Sequence, residues 1–244
     1  PGEGPNDGGF TYLYPSQNSP YIQMYDYKTP GNPGQGYLYT NNKVFGIQIG
    51  NNANARANDG SVSGISIGDY SQSRALGIGL GHYAQSEQIG AIAVGSAAKA
   101  KGFNSLAMMR QAYAGEQYAA AIGTAASAQG KASLAMGHSA LATGDQSIAI
   151  GSANPTPMKD DKGTPYTAYD GTTNTQANAA RSIAIGQGAK SNTVDSIAMG
   201  TGANVVAGTN YKGENYNHGI AIGSNALSQG IQCLAIGNGA STVS

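Results

Sequence analysis

A tetrad of the form apolar-Ala-apolar-Gly, preceded by a small residue, recurs along this chain and limits its fold more than any other feature. It reads Ser147-Ile148-Ala149-Ile150-Gly151, Ser182-Ile183-Ala184-Ile185-Gly186 and Ser196-Ile197-Ala198-Met199-Gly200, with relatives on both sides. Its closing residue falls at 50, 68, 81, 95, 109, 123, 137, 151, 186, 200, 223 and 237. Seven of the eleven intervals are 14 residues, one is 13, and the other three mark insertions of 4, 21 and 9. A second half-motif, Ala-x-Ala-x-Gly, follows each tetrad, as in Ala126-Ser127-Ala128-Gln129-Gly130. Both halves alternate with period two, the signature of strands. One repeat therefore reads as strand, corner, strand, corner. Two five-residue strands cannot cover an apolar face alone, whereas stacked copies can, so the unit predicts a parallel β-solenoid of about 12 coils.

Alternation puts Ile148 and Ile150 on one side of a strand and Ala149 on the other. The larger side chains are expected to fill the core. The outward face would then be a column of small residues: Ala93, Ala107, Ala135, Ala149, Ala184, Ala198, Ala221 and Ala235. Such a column is either simply solvated or, the reading preferred here, a lengthwise surface where another chain approaches closely. The corner Gly is expected at positive φ, where a Cβ costs roughly 1–2 kcal/mol. Met109 stands in that place in Ser105-Leu106-Ala107-Met108-Met109, so its corner should be remodelled or strained.

Composition removes other classes. Lys plus Arg and Asp plus Glu are 13 each, with no basic stripe, which argues against nucleic-acid binding. Apolar residues reach 40%, too many for a disordered chain. The 37 Gly do not recur at every third position, as collagen requires. Heptads and apolar runs of about 18 residues are both missing, so neither a coiled coil nor a spanning helix is expected. The chain opens on Pro1-Gly2-Glu3-Gly4, and any export signal is expected outside this stretch. The single cysteine, Cys233, replaces the usual Ser at the start of a repeat and reads as a small packed thiol.

The run Ser-Ile-Ala-Ile-Gly followed by x-x-Ala-x-Ala-x-Gly, at period 14 over about residues 45–241, resembles the head repeats of the trimeric autotransporter adhesins, the YadA-like proteins of Gram-negative bacteria. The resemblance implies a left-handed parallel β-roll and a homotrimer of three rolls about one axis. It implies a bacterial cell-surface location, with an outer-membrane anchor C-terminal to this stretch. It also implies attachment without catalysis or cofactor, to extracellular-matrix proteins of the collagen, fibronectin or laminin class, to cell-surface receptors, or to other bacteria. A passive spacer of a surface fibre is the bland alternative. A polysaccharide-acting parallel β-helix enzyme is the catalytic one, although such enzymes carry Asp, Arg or His clusters in a groove and none is evident here.

Two kinds of segment depart from the repeat. Residues 1–44 contain no Ala, seven of the fifteen Tyr and six of the nine Pro. Tyr12-Leu13-Tyr14, Tyr25-Asp26-Tyr27 and Tyr37-Leu38-Tyr39 read as short strands between Pro/Gly turns. They would form a cap on the first coil, a Tyr-rich contact patch, or both; Tyr12, Tyr14, Tyr25, Tyr27, Tyr37 and Tyr39 are the candidates. The insertions, at about 154–180 and 209–217 of the 45–244 roll, read as polar surface loops. Loops on a solenoid face often bind, which nominates Lys159, Lys162, Tyr166, Tyr169, Tyr211, Lys212 and Tyr216; a purely structural role is the alternative. Other motifs carry less. His82 and His138 share a repeat position four coils apart, about 19 Å at the ~4.8 Å strand spacing, too far for one metal. Gly186-Gln187-Gly188-Ala189-Lys190-Ser191 lacks the Gly before Lys of a phosphate loop. The repeats lack the Asp of calcium-binding nonapeptides, and Asp160-Asp161 reads as a loop pair.

Overall fold

The computed structural model describes residues 22–25, 46–55, 64–159, 165–170, 173–209, 215–216, 218–230 and 232–242. It is an all-β parallel solenoid. Among the described residues one sheet has thirteen strands, of which the first is antiparallel and the other twelve are the tetrads in chain order. The opposing sheet has eleven strands among the described residues, drawn from the second half-motifs. Register is strict along the first sheet: Leu134, Ala135 and Met136 pair with Ile148, Ala149 and Ile150, which pair in turn with Ile183, Ala184 and Ile185. The 14-residue period is thus the length of one coil, and each residue type stacks on its own kind.

The faces are the reverse of those expected. All eight Ala of the supposed outer column are sealed inside the chain itself; seven are fully buried and Ala235 is 2% exposed. The flanking Ile148 and Ile150 are only half-buried and face away from that core. The inward residues of the second sheet are equally small, among them Ser73, Ser86, Ala100, Ala114, Ala128, Ala142 and Ala177. Width explains the correction. Apart from the four-residue strand Gly46–Ile49, each coil gives three residues or fewer to a strand on either side before turning, so the sheets lie close together. Val205 is the largest fully buried side chain among the described residues. An Ile at every inward position would force the two sheets apart and break the corners between them. The Ala column is therefore no surface between chains, and Ala93, Ala107, Ala135, Ala149, Ala184, Ala198, Ala221 and Ala235 are core residues.

Both corners are tight turns with a left-handed residue at the third position. In the first, the Ala140 N–H donates to the Gly137 carbonyl across Ser139, whose φ is 56°. In the second, the Ser133 N–H donates to the Gly130 carbonyl across Ala132, at φ 52°. Ordinary residues hold this costly conformation because their N–H groups are fixed to the coil before: Ser139 donates to Thr124 and Ala132 to Gln117. The Gly that closes each tetrad does have positive φ, 119° at Gly137 for example. Met109, in the same place, is at φ 90°, the strain anticipated. Gly102, Gly130 and Gly144, which end the second half-motif, are not at positive φ. A Cβ on any of them would strike the backbone of the next coil, so close approach of coils is what selects Gly there.

Two excursions from the roll are hairpins. Asn154–Lys159 pairs antiparallel with Pro165–Asp170, which corrects the loop reading of this insertion. Pro155, Pro157 and Pro165 lie within its strands rather than at a turn. In the observed register they belong to pairs 155–169, 157–167 and 159–165, all of one alternating class. The class whose N–H groups point outward from a two-stranded ladder accommodates proline without losing a bond. A shorter pair, Gly208–Thr209 with Asn215–Tyr216, leaves from the opposite corner. At the start of the roll, Ile22–Tyr25 lies antiparallel on Gly46–Ile49 and covers that edge of the first sheet.

Candidate functional site

Three surfaces are built by the stacking itself. The first is the outer face of the tetrad sheet, two apolar columns running the length of the roll. One column includes Ile65, Ile78, Ile92, Leu106, Leu134, Ile148, Ile183, Ile197 and Ile220; its companion runs two residues on in each strand. Neighbours in a column shield each other. Where the last coil has none beyond it, Leu234 and Ile236 are 57% and 63% exposed. Unlike scattered surface leucines, this is a continuous apolar face. These columns share the period of the Ala column, and strand alternation alone is compatible with either one facing inward.

The second surface is the polar outer face of the opposing sheet. Gln72, Gln85, Lys99, Tyr113, Ser127, Leu141, Gln176, Lys190 and Asn204 stand there in register, two residues before a second, mostly polar row. Side-chain amides link successive coils: Asn178 donates to Asn192 at 2.7 Å, and Asn192 to Asn204 at 3.3 Å. Lys99 and Glu87 pair at 2.8 Å. The face is largely polar and carries more basic than acidic groups, with Arg74, Lys99, Lys101 and Lys190 against Glu87.

The third surface is the corners. At the second corner, Leu76, Ile89, Phe103 and Tyr118 are exposed on neighbouring coils, and Phe103 meets Tyr118 edge to face with centroids 6.2 Å apart. Further along, the same corner turns ionic. Arg181 and Asp195 form a two-point ion pair, with His218 Nδ1 3.7 Å from the Asp195 carboxylate. The hydrogen bonds from Arg181 hold the Asp195 carboxyl below its ordinary value, and the same bonds raise Arg181. At the first corner, Tyr70 and Tyr83 stack with centroids 4.9 Å apart and ring planes 8° from parallel, and His82 stands edge-on to both. These aromatic residues lie inside the repeat, and sequence reasoning, which sought tyrosines in the departures from it, passed over them. Their signal was the position: two residues after the closing Gly in consecutive coils.

Of the residues nominated from sequence, Tyr25 ends the edge strand, and Lys159, Tyr166, Tyr169 and Tyr216 lie on the hairpin strands. The hairpin brings Lys159, Tyr166 and Tyr169 onto one two-stranded ladder, Tyr166 opposite Met158 and Tyr169 opposite Pro155. Tyr12, Tyr14, Tyr27, Tyr37, Tyr39, Lys162, Tyr211 and Lys212 lie outside the described residues, as do the strands expected at 12–14 and 37–39. His82 and His138 occupy first corners four coils apart, and His138 Nδ1 is 2.9 Å from the Ser139 hydroxyl. Among the described residues no group of three or more His, Cys, Asp or Glu is placed to hold a metal.

The family model described as the YadA head domain repeat, a two-copy unit, matches residues 86–108, 128–154 and 173–203. All three stretches lie on the roll. Among curated proteins no relative matches the chain.

Proposed function

We propose that three copies of this chain, whose roll matches the YadA head domain repeat over three stretches, associate through the apolar face of the tetrad sheet and present an attachment rod at a bacterial surface. The two apolar columns carry the reading. The core of one chain is almost entirely Ala and Ser. Burial is worth about 0.8 kcal/mol per CH2, so such a core stabilises the fold weakly for its length. The Ile, Leu and Met side chains that could contribute most are left half-covered. Three rolls packed face to face would bury them along the whole rod and leave the polar sheet, the hairpins and part of the corners outside. This support is geometric, and it replaces the Ala column as the basis for a trimer.

In this reading the rod binds and does not catalyse. It attaches to matrix proteins of the collagen, fibronectin or laminin class or to receptors on other cells, from an anchor in the outer membrane. The hairpin at 154–170 and the Tyr-rich stretch 1–44, with Tyr12, Tyr14, Tyr25, Tyr27, Tyr37 and Tyr39, are its proposed contact elements. A neutral balance of charge implies contact by shape and aromatic surface rather than by long-range steering. The test is light scattering of the purified chain, followed by its binding to surfaces coated with each matrix protein. A mass of three times 24.6 kDa and saturable binding to at least one coating are expected. A stable monomer overturns the assembly, and a trimer that binds no coating and no cell overturns the attachment role.

A further inference from the structure

We propose that Tyr83, backed by Tyr70, is a stacking platform for a pyranose ring of a saccharide chain. The two rings form a short ladder at the first corner, 39% and 47% exposed for Tyr70 and Tyr83 respectively. Tyr70 covers one face of Tyr83. The next residue of the same column is Ala97, held one coil on by the bond from its N–H to the His82 carbonyl, and beyond it comes Gln111, whose N–H donates to Ser96. All four residues share the left-handed conformation, with φ between 56° and 58°. The stack therefore stops at Ala97. The free face of Tyr83 opens over a methyl group, with a longer amide side chain two coils away. At ~4.8 Å per coil, Tyr83 and Gln111 are about 10 Å apart, room for one ring between them.

Chemistry narrows the occupant. The backbone donors of this column are consumed: Tyr83 donates to Asp69, Ala97 to His82 and Gln111 to Ser96. A peptide adding itself as a strand would find no free ladder here. What remains is an aromatic face ringed by exposed side-chain polar groups. His82, Ser96 and Arg110 stand in the adjacent column, one residue earlier in each coil. Asp69 is engaged by the Asn51 N–H at 2.8 Å. A pyranose has this complement, an apolar C–H face for the ring and hydroxyls around its edge, and Arg110 suits a carboxylate on an acidic sugar.

The proposal deepens the attachment reading by naming a ligand class. It is tested on saccharide alone, so its failure is distinct from failure to bind matrix protein. Saturation-transfer NMR on the purified full chain, with tetragalacturonate and chitotetraose as separate probes at millimolar concentration, reads it directly. Saturation of the sugar C–H protons is expected, strongest for the uronate. Tyr83→Ala should weaken binding roughly ten-fold, the scale of one lost stacking partner. Ala97→Gln should do the same by filling the space while leaving Tyr83 in place. Both substitutions copy residues already present in this column, Ala125 and Gln111, so the fold tolerates them; circular dichroism confirms this. Tyr118→Ala, at the other corner, should change nothing. Transfer that is absent for both probes, or unchanged in Tyr83→Ala, overturns the platform. So does a change of oligomeric mass in Tyr83→Ala, since it would place this corner inside the assembly.

Discussion

Arg181 and Asp195 occupy the same corner position in consecutive coils, and the guanidinium of one grips the carboxylate of the other at two points, 2.5 and 2.8 Å long. Both residues are left-handed, at φ 54° and 55°. The corner therefore fixes both backbones before the side chains meet, and the planar fork of Arg suits the carboxylate.

That pair has a pH signature. Asp195 is held below its ordinary value, first by the Arg181 hydrogen bonds and further by the charges of Arg181 and His218. Its contribution is then present above the unfolded carboxylate pKa, about 3.9, and is lost as pH falls through the lower folded value. The pair is solvent-exposed, so the effect is small and salt-sensitive. Asp195→Asn keeps a residue suited to left-handed φ. Its melting temperature should fall slightly below wild type at pH 7, and the gap should close below about pH 4 or in 1 M salt. A gap that persists under both conditions would assign the effect to something other than the ion pair.

Met109 and Gly95 test the corner. Met109 holds φ 90° where its counterparts are glycines at 119–152°. Met109→Gly should stabilise the chain by about 1 kcal/mol, the cost of a Cβ in left-handed space. Gly95→Ala should act oppositely, because its methyl would lie 2.5 Å from the Met109 carbonyl carbon. A loss of about 1–3 kcal/mol is expected for such overpacking. Thermal melts of both variants decide the matter; equal and opposite signs are not required, but both signs are.

The period, the two sheets and the corners were legible because Gly and Ala mark them in most coils. Which face turned inward was not, because Ile148-Ala149-Ile150 alternates equally well either way. The answer lay in the separation of the sheets, a property of the closed coil rather than of any one strand. Pro155 and Pro157 hid a hairpin for a related reason: their compatibility with a strand depends on the register of a partner segment, Pro165–Asp170. The Tyr70–Tyr83 stack needed the coil geometry to bring residues 13 apart into contact.

The longer hairpin should be separable from the roll. Ala153 still donates to His138 in the coil below, and Thr175 accepts from Leu141, so the wall is continuous on both sides of the excursion. Deleting 154–174 removes the 21 residues by which this interval exceeds the 14-residue period. The shortened chain should keep its β circular-dichroism spectrum and melt within a few degrees of wild type, since such excursions are tolerated on a rigid scaffold. Its adhesion to matrix coatings should fall. Collapse of the roll would instead make the hairpin part of the fold.

The sharpest contrast lies between adjacent residues, Ala149 and Ile150. Ala149 is sealed in the core, whereas Ile150 is half-buried on the apolar face. Ala149→Leu adds three carbons between sheets whose largest fully buried side chain is Val205. It should cost at least about 1–3 kcal/mol and reduce the cooperative melt. Ile150→Asp should spare the single roll, because its carboxylate stays hydrated there, but a charge at each of three facing copies would oppose association. Light scattering should then return 24.6 kDa for Ile150→Asp with the β spectrum intact. If Ala149→Leu folds normally while Ile150→Asp unfolds the monomer, the two faces are reversed once more; if Ile150→Asp still assembles, the apolar columns are not the contact.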